Sequence, residues 1–210
     1  MSDVVSLVTD AARPAPASGE SAAQTLAARL AVDVDDHFEE MVVLFQDRLY
    51  ALALRMTGNA EDAEEITQDA FVRAYRALTT YPTDRIQALA LRPWLYRITV
   101  NVTRNRARGK RPRVVTLDGP EAAAWEPVDR DRDRPEAVVG RAEGDEELGA
   151  LVASLPARYR AAVVLRHVME LSYEEVAAVL GQPVGTVKSN VHRGLGILRV
   201  TLVTRAAEVE

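Results

Sequence analysis

Six polar side chains cluster near the start of one predicted helix in the C-terminal part of the chain, and their types suit contact with DNA. They are Thr186, Lys188, Ser189, Asn190, His192 and Arg193. Hydroxyl, amide and imidazole groups exchange hydrogen bonds with base edges, and cationic groups bind phosphates. The spacing predicts that these six lie on the exposed face of the helix. The opposite face is predicted to be buried through Val187, Val191, Leu195 and Leu198.

A second group of basic and aromatic side chains follows another predicted helix, in the N-terminal half. Its members are Trp94, Tyr96, Arg97, Asn101, Arg104, Asn105 and Arg108. Arginines bind phosphates in a salt-dependent way, and aromatic rings stack on unpaired bases. The combination suits DNA that is being opened. A core position explains Trp94 equally well, so both interpretations of that residue stay open.

A third polar set lies at helical spacing between about Ala60 and Thr79. It consists of Asp62, Glu65, Gln68, Asp69, Arg73 and Arg76. The buried stripe of the same helix is predicted to be Ala63, Ile66, Ala70, Ala74 and Leu78. From the residues alone, the outward stripe is either a solvated face or a docking surface.

Periodic hydrophobic residues and helix-breaking residues predict the elements that position these groups. A helix runs from Asp36 to Met56 and ends at Gly58, and a third runs from Pro93 to about Arg108. Residues 172–199 form a helix-turn-helix. Ser172 and Glu175 make a capping box, and Gly181 supplies the left-handed turn between the two helices.

Charge is distributed unevenly, which matters more for binding a polyanion than the net charge of −5. Residues 92–113 hold eight Arg or Lys and no acid, whereas residues 114–150 hold eleven acids and four arginines. The periodic patterns are helical and no convincing strand is visible, so the fold class is predicted to be all-α. A disordered or weakly helical tail (1–33) precedes two small helical domains (34–109 and 146–206), and a flexible acidic linker (110–145) joins the two domains.

Other classes of protein find little support in the composition. The three histidines are far apart in sequence, no cysteine is present, and no glycine-rich phosphate loop is visible. We therefore expect no catalytic site, no metal and no cofactor. The acidic start and the lack of a long apolar run predict a cytoplasmic protein without membrane insertion.

Four stretches, taken together and in this order, resemble the extracytoplasmic-function (ECF) group of bacterial sigma factors. Residues 62–75 resemble the region that clamps the RNA polymerase core, and residues 92–101 resemble the promoter-melting segment. Residues 155–160 with 171–177 resemble the entry to the fourth region, and residues 185–194 resemble its recognition helix. The resemblance covers about residues 36–205, with gaps in the linker.

The resemblance implies roles that spacing alone does not. The stripe from Asp62 to Arg76 would meet a coiled coil of the largest subunit of RNA polymerase, and the core's largest and second-largest subunits would be partners. The helix from Trp94 to Arg108 would open and read the −10 element of promoter DNA. The helix from Gly185 would read the −35 element. An anti-sigma factor would hold the free protein inactive.

Two departures from the family pattern bear on these roles. Asn190 and Val191 stand where the family more often has Arg and Leu, which would remove one phosphate contact. The loop from Tyr81 to Arg92 is longer than usual, so the residue that captures a flipped base is not assigned. The competing hypothesis is a helix-turn-helix regulator with an N-terminal sensor domain, and the unbalanced basic helix favours the sigma factor over it.

Overall fold

The structure is a computed structural model that describes residues 18–109 and 143–208 of the 210-residue chain. In these two ranges the regular secondary structure is entirely helical. The N-terminal range contains α1 (Ser18–Leu30), α2 (Val34–Thr57), α3 (Ala60–Leu78), α4 (Thr83–Gln87) and α5 (Leu91–Ala107). The C-terminal range contains α6 (Glu143–Ser154), α7 (Ala157–Val163), a π-helical turn (Val164–Val168), α8 (Tyr173–Leu180) and α9 (Val184–Glu208). The prediction of an all-α fold is confirmed for the described residues.

Helix α2 is the central element of the N-terminal half, and both of its ends are fixed by local chemistry. The carboxylate of Asp33 accepts hydrogen bonds from the backbone amides of Asp35 and Asp36, which caps the first turn. Gly58 ends the helix in the left-handed conformation, with φ of 73°, as the sequence predicts. The side chains that α2 buries recur at helical spacing and include Met41, Phe45, Leu49 and Leu52.

Helix α1 corrects part of the prediction that residues 1–33 are a disordered or weakly helical tail, because residues 18–30 form a packed helix. Ala23, Leu26, Ala27 and Leu30 lie at positions i, i+3, i+4 and i+7, and all four are buried. α1 packs against α2, α4 and α5. The Ala- and Ser-rich composition does not by itself predict a stable helix here. A short helix of this kind depends on tertiary packing for its stability, and that packing is not visible in the local sequence. Residues 1–17 lie outside the described residues.

The segment between α3 and α5 also differs from its prediction as a loop. The short helix α4 buries Ile86, and α5 begins at Leu91, two residues before the predicted start at Pro93. α5 packs against both α2 and α3, so these two helices support its basic residues.

The C-terminal half follows the predicted helix-turn-helix closely. Ser172 caps α8 by accepting a hydrogen bond from the Glu175 amide, and the Glu175 carboxylate accepts one from the Ser172 amide. Gly181 ends α8 with φ of 65°. The predicted capping box and left-handed turn are therefore both confirmed. The linker prediction lies outside the described residues, except that α6 already begins at Glu143.

The two halves of the chain pack against each other. Helix α5 lies on α8, and the Arg92 guanidinium stands 3.9 Å from the Glu175 carboxylate. Helix α2 contacts α6 and α7. The close approach is visible at Gly58, where an added Cβ would lie 3.2 Å from the Cβ of Ala153.

Two features are absent from residues 18–109 and 143–208. None of their helices combines the length and the apolar character that a bilayer crossing requires. Their His, Asp and Glu side chains form no group of three or more that could hold a metal ion.

Candidate nucleic-acid interface

Helix α9 presents an exposed polar face beside α8. Thr186, Lys188, Ser189, His192 and Arg193 are all exposed, as the sequence predicts. The opposite face anchors the helix through the buried side chains of Val187, Val191 and Leu198. Five of the six predicted contact residues are therefore available on one surface.

Asn190 is the exception, and its predicted exposure is wrong. Its side chain is only 7% exposed, and its Nδ2 donates to the Gln182 side-chain oxygen at 3.3 Å. Asn190 follows Val187 by three residues, which turns it toward the α8–α9 turn where Gln182 lies. It therefore ties the recognition helix to the turn and is not aimed at DNA.

Gly194 takes a buried position that the sequence pattern had assigned to Leu195. Leu195 is only partly buried, whereas a Cβ added at Gly194 would lie 2.6 Å from Val163 Cγ2. Helices α7 and α9 cross at this point. The missing side chain at position 194 is what allows so close a crossing.

The ring of Tyr173, at the first position of α8, lies between two cations. The Arg166 guanidinium carbon is 5.1 Å from the ring centroid, and the Lys188 ammonium nitrogen is 5.5 Å from it. Both distances fall within the range of cation–π attraction. One of the predicted DNA contacts is thus held by a residue of the preceding helix.

Tyr159 of α7 makes a similar link on the other side of α9. Its hydroxyl accepts a hydrogen bond from Arg158 Nη2 at 2.9 Å. Hydrogen bonds from Arg193 and Arg158 lower the pKa of Tyr159. The sequence alone does not predict these roles of Tyr159 and Arg158, because only the crossing of α7 and α9 brings Tyr159 to α9.

Helix α5 carries the second predicted group, in graded exposure. Trp94, Arg97, Asn101, Arg104 and Asn105 are partly exposed, and Arg108 is exposed. Tyr96 is only 1% exposed, and burial raises the pKa of its phenol. Tyr96 therefore serves the core in this arrangement and does not reach the surface. Burial also lowers the pKa of Arg104, to about 10.

Trp94 lies beside the segment that precedes α4. Its ring centroid is 6.3 Å from that of Tyr81, and the Arg85 guanidinium lies 3.8 Å above the Tyr81 ring. The Trp94 indole N–H is buried and has no hydrogen-bond partner among the described residues. A buried donor without a partner is costly, so the packing of the described residues leaves the Trp94 N–H unsatisfied.

The polar stripe of α3 is largely engaged within the protein. Arg106 of α5 forms ion pairs with Asp62, at 2.8 Å, and with Glu65. Arg73 pairs with Asp69 one turn away at 3.0 Å. Gln68 and Arg76 are exposed. The pairing of Arg106 with two stripe residues, which the sequence analysis missed, fixes the basic helix α5 to the acidic face of α3.

Comparison with known proteins identifies two matched regions and several relatives. The model for Sigma-70 region 2 matches residues 41–113, and that for Sigma-70, region 4 matches residues 145–198. The ECF RNA polymerase sigma factor SigW of Bacillus subtilis (strain 168) is 36% identical over 172 residues, which cover 80% of this chain and 89% of SigW.

Two solved structures share the fold. One is CnrH in complex with the cytosolic domain of CnrY, with a TM-score of 0.62, 23% identity and coverage of 87% of this chain and 98% of CnrH. The other is the sigma factor RpoE in complex with the anti-sigma factor NepR from Bartonella quintana. Its TM-score is 0.55, its identity 23%, and the match covers 79% of this chain and 96% of RpoE.

Proposed function

Because the chain belongs to the ECF sigma factors, we propose that it binds RNA polymerase core and directs initiation at promoters whose −10 and −35 elements it recognises. One observation carries this proposal. The chain has two separate surfaces suited to DNA, the basic helix α5 and the recognition helix α9, on two packed helical halves.

Each surface has its own role in the proposal. Helix α9 reads the −35 element through its exposed polar face, and α5 contacts and helps open the −10 element through Trp94, Arg97, Asn101, Arg104, Asn105 and Arg108. Tyr96 joins this set only if the packing around it loosens. The two roles divide the chain into the predicted domains, 34–109 and 146–206, and α1 extends the first of them to residue 18.

The stripe on α3 is proposed as the docking surface for the coiled coil of the polymerase's largest subunit. Gln68 and Arg76 are exposed for such a contact. Asp62 and Glu65 would keep or exchange their ion pairs with Arg106 on docking. The second-largest subunit is the other proposed contact of the core.

The remaining proposals follow from family membership. The chain acts as an initiation factor without catalytic activity of its own, in the cytoplasm where RNA polymerase works. An anti-sigma factor is a proposed partner, as in the Bartonella quintana complex.

The alternative, a regulator with a sensor domain, would bind duplex DNA alone. A sensor domain has no need of a second DNA surface, so the partly exposed Arg97 and Arg104 and the exposed Arg108 count against it.

In vitro transcription from genomic fragments tests the proposal, using core polymerase with and without the full chain. We expect discrete start sites that appear only when both are present. A gel-shift assay with the chain alone is the matched control and should give no promoter-specific complex. Specific binding by the chain alone, without new start sites, would establish the regulator instead.

A further inference from the structure

We propose that Tyr159 and Tyr173, which lie outside the recognition helix, position two of its cations, Arg193 and Lys188, for DNA, and that Arg158 adds a phosphate contact beside them. Tyr159 would position Arg193, and Tyr173 would position Lys188. This inference rests on the proposed role of α9 in promoter recognition and assigns the residues that orient its charged contacts.

The two cations stand at opposite edges of the exposed face of α9. Lys188 and Arg193 are five residues apart, which separates them by about 140° around a helix of 3.6 residues per turn. Ser189 and His192 lie between them on the same face, and both are exposed. A helix in the major groove has a phosphate backbone on each side, so cations at both edges suit the groove.

On one edge, Tyr173 restricts where Lys188 can point. Lysine carries its charge on a flexible four-carbon chain, which loses conformational entropy when it is ordered on DNA. The Tyr173 ring, 5.5 Å from the ammonium, holds it in advance. Tyr173 is itself fixed, because it follows the capping residue Ser172 and its ring also meets the Arg166 guanidinium.

On the other edge, the crossing of α7 and α9 at Gly194 brings Tyr159 next to Arg193. Tyr159 is 8% exposed, and a Cβ added at Gly194 would lie 3.3 Å from the Tyr159 Cβ. Side-chain hydrogen bonding from Arg193 and Arg158 lowers the pKa of Tyr159. Arg158 is exposed and donates to that hydroxyl at 2.9 Å, and its guanidinium carbon lies 4.6 Å from the Tyr159 ring. Arg158 and Arg193 thus share one anchor, and both extend the positive edge of α9.

The two anchors differ chemically, and this difference makes the proposal sharp. Tyr159 meets Arg158 through its hydroxyl as well as its ring, whereas Tyr173 meets its two cations through its ring. The substitution Tyr→Phe removes a hydroxyl and keeps the ring. Tyr159→Phe should therefore weaken promoter binding. Tyr173→Phe should leave promoter binding unchanged, whereas Tyr173→Leu should weaken it.

The test measures promoter occupancy by the full chain with core polymerase, over a series of salt concentrations. We expect Tyr159→Phe to lower occupancy about threefold to tenfold, because two charged donors lose their shared acceptor. Tyr173→Leu should lower promoter occupancy about twofold to fivefold, and Tyr173→Phe should keep the occupancy of the wild type. Arg158→Gln should make the slope of log affinity against log salt shallower by about 0.9, the change expected for one phosphate contact.

Matched controls separate positioning from folding and from total charge. Arg29→Gln removes one positive charge from α1, in the other half of the chain, together with the exposed ion pair between Arg29 and Glu40, and should leave the salt slope unchanged. Thermal unfolding and co-purification with core polymerase should match wild type for every variant. A merely structural role would lower stability and would leave the salt slope alone.

Three results would overturn the inference: Tyr173→Phe as damaging as Tyr173→Leu, wild-type occupancy for Tyr159→Phe, or an unchanged salt slope for Arg158→Gln. Its failure is distinguishable from failure of the proposed function. If wild type initiates at specific promoters while the variants behave like it, only the positioning role falls. If wild type itself gives no promoter-specific initiation, the proposed function falls with it.

Discussion

Arg160 donates from Nη1 to the backbone carbonyl oxygen of Met56, 104 residues earlier in the chain, at 2.5 Å. Its Nε and Nη2 both donate to the Leu155 carbonyl oxygen, at 3.2 and 3.0 Å. One guanidinium therefore satisfies carbonyl groups in both halves of the chain. Desolvation of the guanidinium lowers the pKa of Arg160. The position nevertheless requires a side chain with several hydrogen-bond donors, which arginine provides.

Replacing this guanidinium should weaken the packing of the two halves. Arg160→Met keeps the aliphatic bulk but leaves two partly buried carbonyls without their donor, which costs about 1–3 kcal/mol. Urea unfolding measures the loss. Arg199→Met removes an exposed arginine from α9 and should change stability by less than about 0.5 kcal/mol. Equal losses in the two variants would contradict the bridging role.

Two glycines of α9 should respond in opposite directions to alanine. A Cβ at Gly194 would meet Val163 Cγ2 at 2.6 Å, so Gly194→Ala should destabilise the protein by about 1–3 kcal/mol. A Cβ at Gly196 would meet nothing within 4 Å, so Gly196→Ala should stabilise it by about 0.5–1 kcal/mol through helix propensity. Thermal unfolding compares the two. In a double-mutant cycle, Gly194→Ala should cost less in a Val163→Ala background than in the wild type, and an equal cost would place the strain elsewhere.

Charge reversal on α3 should weaken association with RNA polymerase core. Asp69 lies on the proposed docking stripe and pairs with Arg73, so Asp69→Arg both breaks that pair and reverses the charge offered to the partner. Co-purification with core from a lysate measures the effect. Glu39→Arg is the matched control, because Glu39 is exposed on α2 and lies outside the stripe. Equal co-purification of the Asp69→Arg variant and the wild type would show that Asp69 is not part of the docking surface.

The stability of the C-terminal half should depend on pH through His167. Burial, and then the nearby Arg166 charge, lower the pKa of His167 below its usual 6.5. The unfolded chain therefore binds a proton more readily, and stability present above about pH 6.5 is lost as the pH falls through the folded pKa. Urea unfolding between about pH 7 and about pH 5 should show this slope.

Two variants test the assignment of that slope to His167. His167→Leu removes the titrating group and should flatten it, whereas Arg166→Gln removes only the second cause and should reduce it in part. A His167→Leu protein with the full wild-type slope would assign the effect to other groups.

Local chemistry made the helix-turn-helix predictable, because Ser172, Glu175 and Gly181 determine their turn from neighbours in sequence. Features that depend on packing were not predictable in the same way. Asn190 fits an exposed pattern, but its partner Gln182 turns it inward. Tyr96 has an aromatic ring that could stack on bases, but its side chain is buried in the core. The cation sites at Tyr159 and Tyr173 need helices that only the fold brings together.

The contact between α5 and α8 has a consequence for promoter search. The −10 and −35 elements are separated by roughly 25 nucleotides, about 85 Å along B-form DNA at 3.4 Å per step. The two halves that would grip them touch in this structure. A molecule bound to both elements must first have parted, so the observed affinity equals the intrinsic affinity scaled by the fraction of molecules already open. The polymerase surfaces that hold the halves apart would then tighten promoter binding without touching a base.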